Sequence, residues 1–104
     1  MELVNIKSLI FNSYNDNAEL VVEMKKDSLS YSVTHIINVL YINRILNLLQ
    51  KNNPQIDLNE CVISTDYREF DEFYIDFTEI EKTQLDFDEV QFMLVNSFRK
   101  QIRA

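Results

Sequence analysis

The chain of 104 residues contains no glycine. Glycine takes positive φ without steric cost and lets a backbone come close to a phosphate, so every turn here has to be built from something else. Asparagine and aspartate tolerate the left-handed region next best and close their own Asx turns. Eleven asparagines are present, and Asn12, Asn15, Asn17, Asn52, Asn53 and Asn59 stand at breaks in the apolar pattern. The same absence removes whole classes of chemistry, because a P-loop, a dinucleotide fingerprint and a nucleophile elbow all require glycine.

Charge is the second constraint. From Asp57 to Glu89 the chain carries twelve acids against Arg68 and Lys82, a local net of −10. Residues 1–56 balance five acids with five bases, and the remaining tail adds only Arg99, Lys100 and Arg103, so the overall −7 originates in that one stretch. Tyr67, Phe70, Phe73, Tyr74, Phe77 and Phe87 are interleaved with its carboxylates, which means that the acidic stretch must also supply core. With 46% hydrophobic residues and twelve aromatics, the chain can bury one core and is read as a single domain over 1–104. Met1-Glu2-Leu3-Val4-Asn5 has no basic n-region, and no run reaches the roughly 18 apolar residues of a membrane span, so the expected location is the cytoplasm. Cys61 has no partner for an internal disulfide and reads as a small buried hydrophobe.

Periodicity predicts the elements. Residues 3–11 fit both a strand (Val4, Ile6, Ile10) and a helical stripe (Leu3, Ile6, Ile10, Tyr14), with a slight preference for helix. Asn12 to Asn17 is a loop. Ala18 to Lys25 and the alternating run through Leu29, Tyr31 and Val33 predict two strands joined by a turn at Lys25-Lys26-Asp27-Ser28. The dense apolar run from Thr34 to Lys51 predicts a long helix buried on more than one side, with Asn38, Arg44 and Asn47 marking its wet face. Asn52-Asn53-Pro54 should end it with an αL asparagine cap. Strands follow at Glu60 to Tyr67 and Phe73 to Ile80, with Arg68 to Glu72 connecting them. A final helix over Thr83 to Ile102 is suggested by the Asp86/Glu89 capping pair, a stripe through Phe87, Val90, Leu94, Phe98 and Ile102, and terminal bases that suit the dipole. The fold class is therefore α+β, an antiparallel sheet packed against a long central helix and a C-terminal helix.

Catalytic constellations are sparse. His35 is the only histidine, which leaves triads, dyads and histidine metal sites without their usual members; its plainer role is a satisfied residue among apolar neighbours. Pairing it with Cys61 would still lack an oxyanion donor. Asp66, Glu69, Asp71 and Glu72 crowd together as hard-cation ligands do, but the order required of a calcium loop is missing. No enzyme activity, cofactor or metal is expected. Direct nucleic-acid binding is opposed by the charge, since phosphate affinity comes from Lys and Arg.

What remains is recognition of a protein. In a strand, carboxylates two residues apart stand roughly 6.6 Å apart on one face, close to the repeat of phosphates along a nucleic-acid strand, and such charge speeds association with basic partners. The expected interface is Asp66, Tyr67, Glu69, Phe70, Asp71, Glu72, Tyr74, Asp76 and Glu79, with the carboxylates of this part of the chain on one open flank. The expected partner is a basic protein such as a nucleic-acid-handling enzyme. By size and charge alone, the analogy is with small phage-borne anti-CRISPR, DNA-mimicking and immunity inhibitors. The alternative is a homo-oligomeric assembly subunit, such as a homodimer, packing through its apolar helices.

Overall fold

The computed structural model describes the backbone of residues 2–12, 17–58, 62–67, 70–77 and 83–101, and the side chains of residues 5–11, 17–58, 75–77 and 83–101. The class is α+β, as expected. Strands β1 (Glu2–Asn12), β2 (Asn17–Lys26), β3 (Leu29–Asn38), β4 (Val62–Tyr67), β5 (Phe70–Asp76) and β6 (Leu94–Gln101) form one sheet in the order β4-β5-β1-β2-β3-β6. Every neighbouring pair is antiparallel. Helix α1 (Ile42–Asn52) and a short helical turn α2 (Phe87–Val90) supply its helical layer.

The β2–β3 hairpin forms where the sequence places it. Its two-residue loop, Asp27 and Ser28, has φ of 50° and 69°, the left-handed pair that matches strand twist in a type I′ turn. Alternation then buries Ala18, Leu20 and Val22 on β2 against Val33, His35 and Ile37 on β3.

The N-terminal segment is a strand, contrary to the slight helical preference. Its register against β2 shifts between Leu3 and Asn5 and again between Ile6 and Ser8. Each shift adds a residue, so the buried Ile6 and Leu9 fall three apart, the interval of a helix and not of a regular strand.

The predicted long helix is also shorter than the apolar run. Residues 34–38 belong to β3, where β-branched side chains sit between β2 and β6, and Val39–Tyr41 form a 3₁₀ turn capped by the Asn38 side chain on Leu40 N–H at 2.9 Å. What is left as helix is amphipathic. Ile45, Leu48 and Leu49 are buried, whereas Asn43, Arg44, Asn47, Gln50 and Lys51 are exposed.

Asn53 ends α1, but not through the left-handed cap, since its φ is −129°. Its side chain is fully buried and turned to other use. The amide donates to the carbonyls of Leu49 and Gln84, both at 2.8 Å, and accepts from Gln84 N–H at 2.6 Å. Beside it the Asn52 side chain accepts from Asp86 N–H at 2.8 Å. The returning segment is fixed at its start as well, where the buried Thr83 hydroxyl accepts from Ile6 N–H at 2.6 Å and donates to the Asn5 side chain. Leu85, Val90 and Met93 then join α1 over the buried sheet face.

The C-terminal helix stops after one turn of α2 and a 3₁₀ turn, Gln91–Met93. Asp86 caps it as expected, accepting from Asp88 N–H at 3.1 Å. Beyond it the chain becomes β6, because β3 would otherwise present an open ladder, and pairing satisfies that side of β3 while the open ladder passes to the outer side of β6. Arg99 and Lys100 are thus edge-strand residues and not the end of a helix, and Phe98, expected on the buried stripe, is 59% exposed. Among the described residues no helix is long and apolar enough to cross a membrane.

Candidate functional site

The β4–β5 hairpin is one margin of the sheet, since among the described strands β4 pairs with β5 alone and β5 also with β1. Strand β5 begins at Phe70, so Phe70, Asp71 and Glu72, expected in a connection, are part of the ladder. The register sets Asp66 directly opposite Asp71, Tyr67 opposite Phe70 and Thr65 opposite Glu72. On the other side of β5, Tyr74 pairs with Ile10 and Asp76 with Ser8. Like charges at directly opposed positions are unfavourable in an antiparallel pair.

Strand alternation divides the expected interface. Positions 70, 72, 74 and 76 share one sheet face, while Asp71 shares the other with the buried Ile75, and the register carries Asp66 with it. Asp76 is partly buried. Glu69 and Glu79 lie outside the described residues, and so do the side chains of the four acids weighed as cation ligands. Among the described residues no group of three or more metal-ligating side chains is assembled.

The carboxylates of 57–89 do not all stand on one flank. Asp86, Asp88 and Glu89 are exposed on and beside α2, and the peptide N–H of Asp86 is held to the end of α1. Phe87, within that turn, packs on His35 of β3 at 5.3 Å between ring centroids. The expected hairpin residues and the α2 acids are therefore separate groups, because the chain crosses the sheet between them.

Sequence reasoning missed two features near β6. The first surrounds His35, whose Nδ1 is 2.7 Å from the Ser97 hydroxyl while Nε2 is buried and has no hydrogen-bond partner among the described residues. Burial lowers its pKa below the ordinary value of 6.5, since the charged ring cannot be solvated there. The second is an open groove of about 340 Å³ lined by Arg44, Leu48, Lys51, Glu89, Phe92 and Met93. The Arg44 guanidinium sits 4.6 Å from the Phe92 ring centre, and Phe92 meets Tyr41 edge-on at 5.6 Å. An exposed cation–aromatic stack of this kind contributes about 0.5–1 kcal/mol. Arg44 and Asn47 do mark the exposed side of α1, as their spacing suggests.

Comparison with protein-family models, with curated proteins and with solved structures gives no significant match for this chain.

Proposed function

We propose that this protein is a non-enzymatic, cytoplasmic binding module that covers a basic, nucleic-acid-binding surface of another protein with its β4–β5 hairpin. The residues assigned to the contact are Asp66, Tyr67, Glu69, Phe70, Asp71, Glu72, Tyr74, Asp76 and Glu79. The observation that carries this reading is the Asp66–Asp71 register at the sheet margin. Opposed carboxylates cost the isolated hairpin about 0.2–1 kcal/mol relative to neutral residues. Cationic side chains of a partner remove that penalty on binding, so a local rule is broken where function benefits. Strand spacing sets Glu72 and Asp76, two side-chain repeats apart, along the face opposite to Asp66 and Asp71, with Tyr74 between them as an aromatic anchor, so the partner grips this margin from both faces. An inhibitor that occupies a nucleic-acid groove needs this combination and needs neither cofactor nor metal.

The test is capture of partners from lysate at low and high salt, identified by mass spectrometry, with wild type beside a variant in which Asp71, Glu72 and Asp76 are all changed to Lys. Wild type should retain basic proteins at low salt and lose them at high salt, and the variant should retain none of them while keeping its circular dichroism. Retention of the same proteins by the folded variant would remove the hairpin from the interface. The homo-oligomeric alternative has less to use on the helices, since the exposed side of α1 is polar and α2 is a single turn.

A further inference from the structure

We infer that the opposite margin of the sheet, β6, is a docking edge, and that its occupant is β4 of a second copy of this chain. This edge pairing does not depend on the partner contact proposed above, but it uses Asp66 and Tyr67 of the same hairpin, so a second copy and a basic partner would compete for β4. Among the described residues the large apolar side chains most open to solvent are Leu40, Phe92, Val95 and Phe98, and three of these fall on β6 or the turn that leads into it. Sheet edges that stay unpaired are usually short, bulged, proline-bearing, covered or charged, and the charges of β6 are confined to Arg99 and Lys100 near one end. Strand β6 has eight residues, no proline, and seven of the eight exposed.

Topology supplies the direction. Six strands in an all-antiparallel sheet leave the two outer ones, β4 and β6, running opposite ways. A second copy moved along the sheet in the same orientation therefore brings its β4 to β6 antiparallel and continues the existing pattern. Charge supplies the choice between edges. Two β6 strands would bring two sets of Arg99 and Lys100 to one seam, whereas β4 offers Asp66. Residue pairing carried across the sheet sets Arg99 and Asp66 at positions of the same face. The register that opposes them also opposes Phe98 to Tyr67, an aromatic pair on the other face, and both kinds of pair favour antiparallel association. Such a contact is heterologous, so it repeats from copy to copy.

Sedimentation across a wide concentration range tests this with two variants, Arg99→Glu with Lys100→Glu, and Asp66→Lys. Wild type should gain mass with concentration, each variant alone should stay monomeric because its two edges then carry like charge, and an equimolar mixture should regain mass with concentration, because the two unaltered edges suit each other and so do the two reversed ones. Arg99 lies 5.4 Å from the Tyr31 ring centre, so Lys100→Glu alone serves as the milder variant, with association weakened about tenfold. The inference is overturned if wild type is monomeric throughout, if either variant alone associates as wild type does, or if the folded variants fail to pair when mixed.

Discussion

Two buried polar residues, Asn53 and His35, illustrate opposite solutions to the same problem. Burying a polar group is costly unless its hydrogen bonds are replaced. Asn53 replaces them with the peptide of Gln84 and the carbonyl of Leu49, and thereby ties the end of α1 to the segment that leads into α2. His35 replaces one, at Ser97, and its Nε2, beside Phe87, has no hydrogen-bond partner among the described residues. With the folded pKa held below 6.5 by burial, the unfolded chain takes up the proton first. Stability is then whole above the unfolded value and falls as pH drops through it toward the folded one. Denaturant midpoints should decline from about pH 7 to about pH 5.5, above the range where most carboxylates titrate, and His35→Gln should flatten that decline. An unchanged slope in the variant would assign the effect to other groups.

At the scale of the element, the β4–β5 hairpin and β6 are opposites in charge and in position. The hairpin register opposes Asp66 to Asp71, and like charges at opposed positions destabilise an antiparallel pair, so Asp66→Asn should raise the denaturant midpoint by an amount equivalent to about 0.2–1 kcal/mol while weakening capture of basic partners. A loss of stability instead would mean that a neighbouring cation already compensates the pair. The elements also explain which parts of the chain could be read in advance. The β2–β3 hairpin was legible because a regular alternation ends at residues able to take positive φ, as Asp27 and Ser28 do. The β1 strand was not, since its bulges mimic the helical interval. Residues 34–38 and 94–101 looked helical because apolar density and capping are local signals, while the strand that each forms is decided by neighbours on β2 and β3.

On the scale of the whole molecule, −7 of net charge in 104 residues opposes compaction through self-repulsion. Added salt screens it over roughly 8–10 Å at moderate ionic strength, so the thermal midpoint should rise with sodium chloride even as partner capture weakens. A midpoint that falls would instead make screened surface pairs such as Lys7–Glu23, 2.9 Å apart, the larger contribution. The candidate site was legible as composition, a run of acids and aromatics, because charge is a property of the chain itself. Its division into two sheet faces, and the separation of Asp86, Asp88 and Glu89 from the hairpin, were not legible, because pleat and crossing depend on pairing between distant segments. The sequence by itself determined the class of the fold, the glycine-free turns and the sign of the charge, all consequences of residue type and short-range spacing. Tertiary structure alone decided the order of the strands, the conversion of the C-terminal segment into β6 and the placing of the described interface candidates, Asp66 to Tyr67 and Phe70 to Asp76, on β4 and β5, since hydrogen-bond ladders between remote strands are satisfied only when the whole sheet assembles.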